Sequence, residues 1–495
     1  MKLRAAGVAA ALVGPALAAP GAAAHAQGFG LNEIGSCAIA RAGANTSDPC
    51  ADASSLYWNP GAVGTVPKGT SIYAGGSAIS VKGSFQQDVT ARRYDADVPV
   101  EVPPYLGLTV HTVPRLVLGL AGYVPYGLTS QWRDDFPGRF SALRASLKTI
   151  YVQPTVAYEL IPGRLSVGAG GVVGHSSLEL RQALDLSTSP APAALVAGLG
   201  LPAGATLAQA GIQPGTEFGR ARVKGSAVGL GYNVGVHAKL SNAFSFGARY
   251  LSEVRFRYTA APATFAVSPR AGETRFPAGN VFQLPAGTSI AALVAPNFAA
   301  GAPLGPGQTA SSRIDHPAQF QTGLSYTGLR NTTLSAEYAF IKWDSFQELP
   351  IVFQQANGTT NALLSARSPL IEDYKNSNSG RFALEHRFGP AFGVGADSAG
   401  VALRLGFSYA QTPAPDETVT PLLPDMDRYN FAGGLGIPLG RGATLDLSYL
   451  RVETEGRRGR TGERSSRTLT ADQVNNGFYS LNANVYSASL KVRAF

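Results

Sequence analysis

The sequence predicts an all-β fold, a transmembrane antiparallel β-barrel, and three observations carry that expectation. In Val228 to Leu240 every second residue is apolar, while Gly229, Gly231, Asn233, Gly235, His237 and Lys239 fill the alternate positions. A strict period of two means a strand with one greasy face and one small or polar face. Its length suits a tilted crossing of a bilayer better than a strand of a soluble domain. The same dyad recurs at Phe244 to Tyr250, Leu334 to Phe340, Leu403 to Tyr409 and Thr444 to Tyr449. Charges at the polar positions, such as Arg404 and Asp446, are costly in a dry core but acceptable to a wet lumen or to the solvent face of a sandwich. Finally, short turns (Ser241-Asn242-Ala243, Gly328 to Asn331) alternate with long linkers (Ser187 to Glu217, Pro262 to Pro317, and 451–476). Short turns on one side and long loops on the other are the asymmetry of an outer-membrane barrel.

Composition agrees. The 495 residues include 58 Gly and 33 Pro, only 15 % are charged, and 45 % are hydrophobic. Gly at this level without a three-residue repeat is not collagen, and the regular strand patterns exclude disorder. Mean hydropathy near zero is too polar for a helical membrane bundle, and after the first residues no run of about twenty apolar residues occurs.

At the start, Lys2 and Arg4 precede an Ala-rich run from Ala5 to Ala19, and Ala24-His25-Ala26 supplies a small-x-small cleavage pattern. Residues 1–26 therefore read as a signal peptide, and an uncleaved helix is disfavoured by Pro15 and Pro20. Removing Lys2 and Arg4 takes the formal charge from +9 to about +7, which suits anionic lipid headgroups. Nucleic acid is not an expected partner. Export places Cys37 and Cys50 in an oxidising compartment, where they are either a disulfide or two buried thiols. A bridge would contribute roughly 3 kcal/mol in the chain-entropy model.

Residues 27–67 lack alternation and precede the barrel, assigned to 68–495. Such a segment hangs in the periplasm or folds into the lumen. Leu116 to Trp132 is interrupted by Gly122, Pro125 and Gly127. Pro gives no ladder donor and Gly tolerates a bulge, so this is either a kinked strand or a strand end. Leu195, Leu199 and Leu201 form an apolar stretch in a long loop, facing a greasy ligand or a packed neighbour. In the last strand Leu490 and Val492 alternate opposite Phe495, while Lys491 and Arg493 share its face.

The N-terminal segment carries a family resemblance. Gly28-Phe29-Gly30-Leu31-Asn32-Glu33, Ala40-Arg41-Ala42-Gly43, Asp52-Ala53-Ser54 and Asn59-Pro60 resemble the hatch of FadL-type outer-membrane transporters. The similarity continues through Tyr126-Gly127, Trp343-Asp344-Ser345-Phe346, Thr412-Pro413-Ala414-Pro415 and Pro424-Asp425-Met426-Asp427-Arg428. It implies about 14 strands with the N-terminal hatch as a plug in the lumen, in the bacterial outer membrane. It further implies capture of long-chain fatty acids or other hydrophobic compounds at outer loops. Release is then lateral, beside a kinked strand at Gly122, Pro125, Tyr126 and Gly127, with hatch movement.

No catalytic or metal constellation is present: the six His (25, 111, 175, 237, 316, 386) lack ligand spacing, and no phosphate loop or nucleophile elbow occurs. No cofactor is expected. Asp425 and Asp427 are a polar turn or calcium ligands. Arg457, Arg458, Arg460, Arg464 and Arg467 form a solvated loop or a contact for lipopolysaccharide phosphates. The expected function is passive uptake of fatty acids, with aromatic hydrocarbons as an alternative. Phe29, Leu31 and Ile34 are candidate ligand contacts, and His175 and Arg181 candidate headgroup partners inside the barrel. A lipid hydrolase would need a Ser-His pair, for which His175 with Ser176 and Ser177 is the nearest approach. A monomer embedded in outer-membrane lipid is the expected state.

Overall fold

The computed structural model describes residues 28–494 apart from 66–67, 89, 188, 192, 210–211, 213–214, 277, 279–284, 366–368, 390–399, 441 and 460–475. The signal segment 1–26, Phe495, Arg460, Arg464 and Arg467 lie outside the described residues. Fourteen antiparallel strands close into a barrel. They are β1 Thr70–Gln87, β2 Pro104–Val113, β3 Leu116–Gln131, β4 Arg144–Ile161, β5 Leu165–Leu184 and β6 Gly219–Lys239. Next come β7 and β8, each in two pieces: Phe244–Leu251 with Val254–Val267, and Gln308–His316 with Gln319–Leu329. The circuit ends with β9 Thr332–Ile341, β10 Ser377–Arg387, β11 Ala402–Ala410, β12 Arg428–Gly440, β13 Ala443–Thr454 and β14 Gly477–Ala494. Pairing of β1 with β14 from Thr70↔Ala494 to Gln87↔Gly477 closes the circle. No edge is left to lipid, which offers an unpaired amide no partner.

The dyad sets the faces. Leu230, Tyr232, Leu334, Tyr338, Leu405, Leu447, Tyr449 and Leu490 all point outward, whereas Arg249, Arg381, Arg404 and Asp446 are buried in the lumen. Arg404 ion-pairs there with Glu385 (2.8 Å) and Asp446 (2.5 Å). Leu490 and Val492 face lipid, and Lys491 turns inward to donate to the Ala51 carbonyl, which sets the register of the last strand. The long loop after β7 begins later than its composition suggests. Pro262 lies within the ladder opposite Thr309, and β8 restarts at Gln308. Proline is tolerated there because β7 bends away from β6 at this height.

Residues 28–65 fill the lumen. Two short helices, α1 Ser36–Ala40 and α2 Ser55–Trp58, are completely buried, and α2 stops where Asn59 turns extended before Pro60. Cys37 and Cys50 are disulfide-bonded, fixing the loop that carries α1. Glycine makes this packing possible. A Cβ on Gly247 would lie 2.0 Å from the Thr46 carbonyl oxygen, and one on Gly235 2.2 Å from Asn59 Oδ1. The wall is bare where the hatch backbone rests on it. Gly247→Val should therefore unseat the hatch. We expect increased single-channel conductance in planar bilayers and a lower melting temperature, with an unchanged strand signal in circular dichroism.

Candidate functional site: hatch, kink and aromatic constriction

The site starts from a broken ladder. β3 pairs with β4 through Tyr123↔Tyr151 and resumes at Tyr126↔Thr149, so Val124 and Pro125 bulge. Toward β2 the ladder ends at Leu106↔Gly122. Proline forces this by lacking a donor. The hatch answers the interrupted backbone from inside: Leu31 N donates to the Pro125 carbonyl (2.8 Å), and Gly127 N donates to the Phe29 carbonyl (3.0 Å). Gly127 is needed here, since a Cβ would lie 2.9 Å from Leu31 Cδ1. Residues 29–31 thus form a miniature strand on the inner face of the bulge.

The bulge carries Tyr126 across the lumen. Its hydroxyl donates to the Pro317 carbonyl (2.8 Å), at the break in β8, and accepts from Gln319 Nε2 (2.7 Å). The Phe29 ring sits edge-on to Trp343 (4.7 Å), Phe346 (5.4 Å) and Tyr126 (5.9 Å), and beside His316 (5.6 Å). Edge-to-face rings add attraction beyond burial. His316 is held by the Tyr151 hydroxyl at 3.0 Å. Opposite walls therefore meet in an aromatic constriction closed by Phe29.

An outer loop holds the chain above Phe29. Asp425 accepts from Gly28 N (3.0 Å) and from Thr412 Oγ1 (2.5 Å), and pairs with Arg428 (3.0 Å). Arg428 in turn donates to the Gly28 carbonyl (3.1 Å). Asp427 accepts from the Tyr409 hydroxyl and from Thr412 N. Asp425 thus ties this turn to the hatch, while Asp427 braces it against Tyr409 and Thr412. Burial pushes the Asp427 carboxyl up to about 6, despite the Tyr409 hydrogen bond and nearby Arg457.

Lower in the lumen the hatch is held by charge. Arg381 lies over the Trp58 ring (5.5 Å) and donates to the carbonyl of Gly43 (3.1 Å) and to Asn32 Oδ1 (3.4 Å). Arg249 covers the Tyr57 ring (4.4 Å) and donates to the Tyr57 carbonyl. Glu337 accepts from the amides of Thr46 and Ser47. Asn59 donates to Thr46 O and Val236 O, and Ser166 donates to Gly61 O, just past Pro60. Glu33 accepts from the Asn32 amide, and Ile34 is buried with its carbonyl on Trp58 Nε1.

Beside the kink a cavity of about 60 Å³ is lined by Gly28, Val81, Val98, Leu128, Trp132, Leu423 and Leu481, with Asp425 and Arg428 contributing its charged side. The sequence singled out Gly28, Leu31, the kink and, within the resemblance, Arg428 without a role, but gave no role to His316, Arg249 and Arg381. A charge at a lumen-parity position is the signal that marks Arg249, which alternates with Ala248 and Tyr250.

His175 and Arg181 need correcting. Both lie on the outward face of β5, His175 opposite the lipid-facing Val228, so neither reaches a ligand in the lumen. The flanking run Gly168 to Gly174 does not alternate, which left the face of His175 undefined. Ser176 points inward to Thr149 and Tyr258, away from the neighbouring His175, so the two form no dyad. Leu199 and Leu201 pack against an apolar cluster shared by the loops after β5 and β7, which includes Leu207, Phe218, Ile290 and Val294. The Leu195 side chain lies outside the described residues. Arg457 pairs with Asp416, and Arg458 with Asp88.

A closed barrel, a lumenal hatch and an apolar cavity at a wall defect define an outer-membrane channel for hydrophobic molecules. Residues 17–493 match the family described as outer membrane protein transport protein (OMPP1/FadL/TodX), and the chain belongs to that family of bacterial outer-membrane transporters, which are non-enzymatic channels. It is 22 % identical over 435 residues to the long-chain fatty acid transport protein of Escherichia coli O6:H1, covering 86 % of this chain and 87 % of that one. Its fold is similar to that of a Pseudomonas aeruginosa FadL homologue (TM-score 0.71, 19 % identity, 94 % of this chain and 100 % of that one). The Ralstonia pickettii toluene transporter TbuX is also similar (TM-score 0.62, 17 % identity, 94 % and 100 %).

Two outcomes test this site. Phe29→Ala removes a buried ring that costs about 3–5 kcal/mol in a packed core, so hydrogen exchange at the Leu31 and Gly127 amides should accelerate while that of β14 does not. For Asp427, the folded protein binds the proton more tightly than the unfolded chain, because its carboxyl lies near 6 instead of 3.8. Its contribution is therefore fully present below 3.8 and lost as pH rises through about 6. Thermal melts across this window should show that dependence, and Asp427→Asn should flatten it.

Proposed function

We propose that the chain takes up long-chain fatty acids passively. The observation that carries this reading is the pairing of an apolar cavity with Arg428 at its charged side. A carboxylate needs a cation or donors where water is excluded, whereas each buried methylene contributes roughly 0.8 kcal/mol. Ligand first meets the apolar loop cluster near Leu199 and Leu201, then reaches the cavity beside Gly28. A carboxylate there competes with Asp425 for Arg428 and loosens Gly28. Phe29 and Leu31 withdraw from the bulge, and the molecule leaves sideways between β3 and the segment before β2. Ile34 anchors the part of the hatch that stays in place.

The small size of the cavity favours a second reading, uptake of an aromatic hydrocarbon by the same route. Radiolabelled oleate and toluene uptake, in cells with and without the chain, separates the two. Fatty-acid transport predicts chain-dependent oleate uptake that falls about tenfold in Arg428→Gln, the worth of a charge-assisted hydrogen bond, while toluene uptake does not respond to the chain. Chain-dependent uptake of toluene alone favours the hydrocarbon. Uptake of neither overturns both. Deletion of residues 27–67 should change flux through the pore.

A further inference from the structure

The outward wall carries a charge cluster that transport does not use. On three adjacent strands Arg144 (β4), Arg181 (β5) and Arg222 (β6) surround one carboxylate, Glu179, at 3.8, 2.6 and 2.9 Å. Lys224 sits directly opposite Glu179 in the β5–β6 ladder. Three arginines thus share a single acid, with Lys224 at the adjoining ladder position, on side chains that face away from the lumen. Arg220 does not join them, because Glu217 and Asp134 neutralise it.

Toward the short turns the same surface becomes apolar. Ile150, Val152 and Val173 face out, as do Val228 (64 % exposed) and Leu230 (73 %). The cluster therefore marks the level at which the lipid-facing wall gives way to water on the side of the long loops. Just below it the β6–β7 ladder is interrupted between Val223↔Ala263 and Asn233↔Leu251. The interruption leaves an open groove of about 580 Å³ on the outer wall, with an apolar floor of Val228, Leu230 and Tyr232 and a charged side of Glu253, Arg255 and Arg257. Unlike the β3 kink, no hatch residue fills it among the described residues.

We propose that this surface binds a phosphate-bearing lipid of the outer leaflet, with its phosphate on the arginine cluster and an acyl chain in the groove. Guanidinium forks match phosphate oxygens in paired hydrogen bonds, and a phosphate supplies the negative charge that Glu179 alone does not. The adjoining apolar groove selects a lipid over a free anion.

The test is native mass spectrometry of the full-length protein in detergent with diphosphorylated lipid A. The protein should retain the lipid, and Arg181→Gln/Arg222→Gln should retain about thirtyfold less, since each basic side chain near an anionic surface is worth roughly 1 kcal/mol. Arg330→Gln, at a short turn on the opposite rim, should retain it fully. Equal retention by the double variant overturns the proposal. So does displacement of the lipid by excess inorganic phosphate, which would make the cluster a simple anion site. Heat-modifiable migration reports whether the variant folds. Where it does not, the unaltered protein decides: equal retention of lipid A stripped of phosphate overturns the site, and loss of retention supports it.

Discussion

Inside a bilayer no water answers an unpaired amide, so a wall defect draws partners from the chain itself, as the hatch supplies them at β3 and Ser252 supplies them to Tyr232 where β6 and β7 part. The rest of the structure depends on that constraint. The β1–β14 ladder satisfies it by closing the circle. At the β3 bulge, residues 29–31 supply the partners that β2 no longer offers. On the proposed route, the same bonds that repair the wall would also hold the gate shut. A transporter whose gate doubled as a patch for its own wall would expose the defect only while the gate is displaced.

The lumen solves a second problem. A plug must fit closely enough to stop solutes, yet remain able to shift. Close fit comes from bare positions such as Gly235 and Gly247, where hatch backbone meets wall backbone. Hold comes from buried charges with fixed partners, among them Arg381 on Gly43 and Glu337 on the Thr46 and Ser47 amides. Removing one partner of such a set leaves the other stranded, which is costly. The middle of the hatch is therefore rigid. Its beginning is different: Phe29 contributes rings and backbone bonds but no ion pair, and only Asp425 and Arg428 hold Gly28 from above.

Much of the fold was legible because the dyad is written into most of the lipid-facing wall, as in β6, β9, β11 and β13. Leu230, Tyr338 and Leu447 could be read from alternation alone, whereas the face of Leu490 was set only by the structure; the charges Arg404 and Asp446 marked a wet face, which the structure places in the lumen. Strand count and hatch came from the resemblance, since alternation carries neither. His175 and Arg181 were misplaced because Val172 faces inward and Val173 outward. With apolar residues at both parities, sequence does not say which face is wet. The roles of Arg428, His316 and Gln319 were not legible for another reason. Their partners lie hundreds of residues away, as with Gly28 and Asp425, and no local pattern announces a contact that only barrel closure creates.

Consider last how the hatch is fastened. Its leading end is tied to an outer loop through Asp425, while its trailing end runs into β1 at the opposite rim, where Thr70 already sits in the ladder. A strap sewn at both hems does not fall out of a sleeve; it slackens or slides. On the proposed lateral route, passage of cargo would need no expulsion of a cork, and the bore would stay sealed to salts while oil slipped through a seam in the side.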